Sequence, residues 1–192
     1  MDLWENNNLE FFCCACYDSF QKQKQLSDSK NTLDIEEREV LKILERKYQI
    51  SIPLVKTLDF KVGFTIKKGK VNGLSLFRVP IYKEPEFLTN LSSLEKLNFA
   101  HTKLEKVGKS ICSLSSLKIL NLRGNQINHI SKDIANLQNL RDLNLSYNQL
   151  AELPFTIGSL YRLRFLNLIH NDIQQLSHIF QFLKRNGLKV LI

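Results

Sequence analysis

The 192-residue chain has few of the residues that punctuate or staple a fold: 7 glycines, 4 prolines and 4 cysteines. Neither the phosphate-cradling patterns GxGxxG and GxxxxGK nor the catalytic patterns GxSxG and HExxH occur. No apolar run approaches the ~20 residues that a membrane span requires. The N-terminus lacks a basic stretch followed by a long apolar one, so no secretory signal is expected. Cysteine is too sparse and too unevenly placed for a disulfide framework. Cys13, Cys14 and Cys16 cluster near the start, and Cys112 stands alone. That usage points to a reducing, cytoplasmic compartment. Cys13 and Cys16 supply at most half of a four-ligand zinc site, with no second pair nearby; S-acylation of the cluster is the other chemical reading.

What the chain has instead is a period. Units of 23 residues begin at Val71, Leu94, Leu117, Leu140 and Leu163, without insertion or deletion. The fourth, LRDLNLSYNQLAELPFTIGSLYR, carries two apolar patterns. Leu143 and Leu145 alternate about Asn144, which predicts a short strand with one buried face. Leu150, Leu153, Ile157 and Leu160 are spaced by three and four, which predicts an irregular or helical turn. One unit alone has nowhere to bury both patterns. Stacked units bury them in continuous columns of leucine.

The LxxLxLxxNxL heads resemble those of the leucine-rich-repeat superfamily. The LPxxIGxL half of the fourth unit (Leu153, Pro154, Ile157, Gly158, Leu160) is similar to the intracellular, Ras-suppressor-type subfamily. The resemblance implies an α/β solenoid, a right-handed β-α superhelix with a short parallel concave sheet. It also implies that Asn125, Asn148 and Asn171 are structural, each bonding backbone groups freed where a strand ends. Thr102 and Val79 hold this place in the second and first units. A distorted first bend is therefore expected, and Thr102→Asn is expected to be neutral or stabilising. Extracellular relatives usually carry cysteine-rich caps, which this chain lacks.

Flanking the repeats, residues 1–30 read as a weakly ordered tail and 31–70 as an N-terminal cap. In the cap, Ile35, Val40, Leu41, Leu44 and Tyr48 share one helical face, with Asp34 or Thr32 as N-cap. A hairpin about Lys67–Lys70 then leads into the first repeat strand. The five repeats occupy 71–185. Their last unit turns into a short helix (Ile173, Leu176, Ile179, Phe180, Leu183) stopped at Asn186-Gly187. Residues 186–192 form a final capping strand. This cap is rather apolar, so either the helix folds over the end of the core, or the chain continues beyond residue 192 or pairs there with another. Residues 1–58 hold 8 Lys/Arg against 10 Asp/Glu, whereas 59–192 hold 19 against 9. The repeat region is the basic part, which favours acidic partners.

No catalytic residue, metal centre, cofactor or small-molecule substrate is expected. His101 and His170 share a motif position but stand three strands apart, and Glu95 and Asp142 stand two apart, too far to act together. The expected function is non-catalytic binding of a protein partner on the concave sheet, in signalling or scaffolding. The residues placed there are Phe77, Arg78, His101, Lys118, Ile119, Arg123, Arg141, Tyr147, Arg164, Phe165, Ile169 and His170. Aromatics and arginines are the types most enriched at binding hot spots. Lys118, Arg141 and Arg164 occupy one position in three successive units, which makes a basic column. Asn98, Asn121, Asn144 and Asn167, headed by Ser75, form a second column, whose amides are expected to bond one another along the sheet. The resemblance implies a signalling partner such as a small GTPase, bound by a monomer. The alternatives are an anion binder, for an acidic lipid surface or, less favoured, nucleic acid, and a regulatory fragment of a larger protein.

Overall fold

The computed structural model of the protein describes residues 33–174 and 188–192. The expected tail with Cys13, Cys14 and Cys16 lies outside the described residues, as does most of the helix expected over Ile173–Leu183 with its Asn186-Gly187 stop.

Chain order is helix, hairpin, then strand and turn repeated. The first element among the described residues is α1 (Ile35–Tyr48), followed by β1 (Gly63–Lys67) and β2 (Lys70–Ser75). Thereafter β3 (Lys96–Asn98), β5 (Ile119–Asn121), β7 (Asp142–Asn144) and β8 (Phe165–Asn167) each join the preceding strand in parallel. Their register, Gly73 beside Lys96 beside Ile119 beside Asp142 beside Phe165, is the 23-residue period itself. β9 (Lys189–Leu191) closes the series, Lys189 pairing with Phe165. On the other side of each of the first four units lies one helical turn: 3-10 helices at Glu86–Asn90, Lys132–Asn136 and Phe155–Ser159, and α2 (Lys109–Cys112). β4 (Lys106–Val107) and β6 (His129–Ile130) add a second, two-stranded parallel pairing.

The core lies between strands and turns. Leu143, Leu145, Leu150, Leu153, Ile157 and Leu160 are all buried, as the two apolar patterns require. Cys112 is buried among them, and burial pushes its thiol up to about 12, so it carries no thiolate at neutral pH.

The bend is held by carboxamides that reach across units. Asn125 Oδ1 accepts from the Thr102 and Leu104 N–H groups, at 2.9 and 3.0 Å, while its Nδ2 donates to the Phe99 and Leu122 carbonyls. Asn148 joins Ile127 to Leu122 and Leu145 in the same way, and Asn171 joins Leu150 to Leu145 and Leu168. Every such bond satisfies a main-chain group that the turn has freed. The residue before each Asn position is left-handed throughout: Arg78 (φ 61°), His101 (58°), Gly124 (67°), Tyr147 (58°) and His170 (57°).

The first unit departs from expectation. Its bend keeps the left-handed residue at Arg78, and the amide that a carboxamide at position 102 would take, that of Ile81, already donates to the Thr102 carbonyl at 2.6 Å. Thr102 itself is fully buried. The threonine fits because it lets the backbones of the two units approach directly.

Three further differences concern the N-terminal part. Ile35 is 77% exposed in the first turn of α1, and Glu37 is buried in its place beside Val40, Leu41 and Leu44. The carboxylate of Glu37 takes the Val71 N–H at 2.6 Å and ties α1 to β2, an anchor that an apolar face does not announce. The hairpin is real, but its second strand is the first repeat strand, so β1 runs antiparallel along the sheet edge. Residues 54–62, read as an extended run, form a strap that crosses the concave face. The N-cap is Asp34, which accepts from Glu36 N–H at 3.0 Å.

Glu84 makes a second tie between units. It accepts from the Gly108, Ser110 and Ile111 amides at the start of α2. Burial, its largest influence, still raises its carboxyl above the ordinary value. A raised folded value means that its favourable contribution is complete below the unfolded pKa and is lost as pH rises through the folded one. The melting-temperature difference between Glu84→Gln and wild type should therefore move in favour of the variant as pH climbs from about 4.3 toward neutrality. A difference flat with pH would contradict the burial account. For the stack itself, Leu143→Ala should cost about 2–5 kcal/mol and Asn148→Ala about 1–3 kcal/mol in denaturant unfolding. Thr102→Asn should destabilise, because the amide it would serve is already paired; a rise in melting temperature would restore the sequence-based expectation.

Candidate functional site

All twelve residues expected on the concave face are at least partly accessible. They form two groups. One is the basic column. The Arg141 N–H donates to the Lys118 carbonyl at 2.8 Å and the Arg164 N–H to the Arg141 carbonyl at 2.7 Å, which fixes the three residues in register on adjacent strands. Lys118 is paired with Glu95 at 3.0 Å, and Lys67 joins the same carboxylate at 3.2 Å. The hydrogen bond from Lys118 holds the Glu95 carboxyl below its usual range. Arg141 and Arg164 have no ion-pair partner among the described residues. Their column is flanked by Ile119, 36% exposed, and by Phe165.

The second group lies along the bend. Phe77 meets Phe60 edge-on at 5.8 Å and His101 at 5.7 Å, with the Arg78 guanidinium 5.2 Å from its ring centre. Further along, the Arg123 guanidinium lies 4.1 Å from the centre of the Tyr147 ring, which meets His170 at 4.2 Å, tilted by 41°. These are favourable cation–π and ring contacts. They also mean that the rings are already in use. Partial shielding, followed by the Arg123 and Arg78 charges, holds His101 below its ordinary value. Its ring lies across Gly124, where an added Cβ would stand 2.4 Å from it. Ile169 follows Asn167 at the far end of the same surface, its N–H bonded to that residue's side chain at 3.1 Å.

The asparagine column behaves differently from expectation. The amides do not bond one another. Each oxygen turns along its own strand to accept the amide two residues on: Asn98 from Ala100, Asn121 from Arg123, Asn144 from Ser146 and Asn167 from Ile169, at 3.0–3.2 Å. This local bond competes successfully because the strand ends there and frees that N–H. Ser75, at the head of the column, is fully buried, paired with Gly63 of β1.

The strap is what the sequence reading missed. The Asn98 Nδ2 donates to the Leu58 carbonyl at 3.2 Å, and the Leu58 side chain fills the space above Gly73, where an added Cβ would stand 2.5 Å from it. Between strap and sheet opens a cleft of about 570 Å³, whose lining includes Lys56, Phe60, Lys96, His101, Asn121 and Arg123. The one signal in the sequence is Gly73, the single glycine in its strand column. Among the described residues no cluster of three His, Cys, Asp or Glu is placed to hold a metal ion. No described helix is long and apolar enough to cross a membrane.

Comparison with known proteins agrees with this geometry. The family model described as leucine rich repeat matches residues 115–173. A leucine-rich-repeat protein of Leptospira interrogans is similar in structure, with 26% identity, a TM-score of 0.50, and coverage of 62% of this chain and 36% of that one. TLR13, from its complex with ssRNA13, matches with 24% identity and a TM-score of 0.55, over 72% of this chain and 20% of its own. The chain thus spans about a third or less of the solved structures it resembles. No curated protein matches it. The fold is that of the leucine-rich-repeat superfamily.

Gly124→Ala tests the bend. The alanine must hold a positive φ, which costs about 1–2 kcal/mol, and must displace the His101 ring. The expected result is lower stability together with loss of the His101–Phe77 ring-current shift in NMR; an unperturbed His101 resonance would contradict it.

Proposed function

We infer that the chain is a non-catalytic module that binds an acidic protein partner across its concave sheet. The observation that carries this reading is the basic column, with Arg141 and Arg164 in register and without an ion-pair partner among the described residues, beside the exposed Ile119 and the partly accessible Phe165 and Ile169. Like charges on neighbouring strands repel, and an acidic partner relieves that repulsion while it is steered in. Aromatic and arginine anchors at Phe77, Arg78, His101, Arg123, Tyr147 and His170 extend the same surface. In this reading α1 and β1 cap the open end of the stack, β9 closes the other, and the protein works as a cytoplasmic monomer. The subfamily likeness at Leu153–Leu160 favours a signalling partner, with a small GTPase as the class it implies.

Binding of nucleic acid is the second reading, favoured by the basic balance of residues 59–192 and by the ssRNA13 in the TLR13 complex. The ring contacts weigh against it. Bases bind single-strand proteins by stacking on open aromatic faces, and the Tyr147 ring already contacts the Arg123 guanidinium and the His170 ring.

A photo-crosslinking amino acid at Tyr147 or Phe165 should capture a protein from native lysate, and one at Gln138 on the turn side should not. Arg141→Glu with Arg164→Glu should abolish that capture without lowering the melting temperature. Equal capture from both faces, or by the double variant, would move the interface elsewhere.

A further inference from the structure

The strap shows how a peptide lies on this sheet, because it is one. Its Leu58 carbonyl accepts from Asn98 Nδ2 at 3.2 Å, its Leu58 side chain occupies the space over Gly73, and Phe60 sets its ring against Phe77. One strand further on, the same donor is unspent. A backbone N–H can only donate, so the bond from Arg123 N–H at 3.2 Å fixes Oδ1 of Asn121 toward the main chain. Its Nδ2, with two hydrogens, has no partner among the described residues and borders the cleft. Lys56, Lys96 and Arg123, whose guanidinium also donates to Ser146 Oγ at 3.2 Å, line the same cleft, against Asp59 as the one acid of the lining. None of these three cations is in an ion pair among the described residues. Ile119 supplies an exposed apolar contact beside them.

We propose that this cleft is an acidic-peptide site, in which a partner segment repeats at Asn121 the contact that the Leu58 carbonyl makes at Asn98. The segment lies beyond the strap, a backbone carbonyl on Asn121 Nδ2, a carboxylate between Lys96 and Arg123, and an apolar side chain on Ile119. Charge complementarity selects the acid, and the amide donor selects an acceptor at a fixed place, which a lipid surface or a disordered counterion cloud does not provide. A cleft of about 570 Å³ holds a few side chains. The proposal rests on the concave-face reading and gives it a specific pocket.

The probe is the fluorescein-labelled peptide Glu-Glu-Leu-Glu-Glu-Leu-Glu-Glu, with a Lys-for-Glu version and an eight-nucleotide uridine RNA beside it, followed by anisotropy at low salt. Asn121→Asp keeps an oxygen for the Arg123 amide but replaces the donor by a negative acceptor. It should weaken the acidic peptide at least tenfold, about 1.4 kcal/mol. Asn167→Asp makes the same change outside the cleft and should leave affinity within about twofold, less than 0.5 kcal/mol. Lys96→Glu with Arg123→Glu should abolish binding. Gly73→Ala, which expels Leu58 and lifts the strap without touching a charge, should weaken it too. Melting curves of each variant establish that it folds. Failure of the acidic peptide to bind, equal weakening by Asn121→Asp and Asn167→Asp, or RNA binding as tight as the peptide's would each overturn the proposal. The broader reading is separable: crosslinked capture lost in the Arg141/Arg164 reversal but intact in Asn121→Asp leaves it standing while the pocket falls.

Discussion

The carboxamide at the bend is the interaction on which the other features depend. Asn125, Asn148 and Asn171 each accept from one unit and donate to two, so a single side chain fixes the separation and the register of neighbouring repeats. Burial of leucine favours stacking of any kind, since apolar attraction has no direction. Hydrogen bonds do have direction, and unpaired main-chain groups at a buried bend are costly. The amides therefore turn a collapsed pile of leucines into a stack with one translation per unit.

That translation creates the surface. Because every strand sits in the same place relative to the last, a residue type repeated at 23-residue intervals becomes a column on the sheet. Lys118, Arg141 and Arg164 become a basic strip in this way, and five bend residues become a row of left-handed positions. The same regularity gives the two asparagine columns opposite roles. At the bend, both ends of the amide are consumed between units. On the concave face the oxygen is consumed within its own strand, and the nitrogen is left for partners outside it: the strap carbonyl at Asn98, and none among the described residues at Asn121.

The N-terminal end breaks the regularity and gains a feature from doing so. Three local exceptions lie there: Thr102 where the third to fifth units have asparagine, Gly73 where the other units have a side chain, and Ser75 at the head of the amide column. Each accommodates a close approach. Thr102 admits a direct contact with Ile81, Gly73 admits Leu58, and Ser75 lies covered. Gly73 seats the strap, and the strap makes a cleft out of what is otherwise an open sheet.

How much of this was legible in the sequence follows from what is periodic. The strands, the turns, the buried leucines and the bend asparagines recur every 23 residues, and recurrence converts a one-dimensional pattern into stacking without any knowledge of distant contacts. The basic column was legible for the same reason. What does not recur was hidden. The path of residues 54–62 is decided by contacts with Gly73 and Asn98, far away in sequence, and no local propensity encodes it. The exposure of Ile35 and the burial of Glu37 follow from which face of α1 meets β2, a choice that periodicity leaves open by one residue on either side. The orientation of the concave amides was likewise undecided, since an asparagine side chain offers a donor and an acceptor in nearly the same shape. Only the freed N–H two residues onward, present once the strand has ended in three dimensions, settles which end faces the solvent.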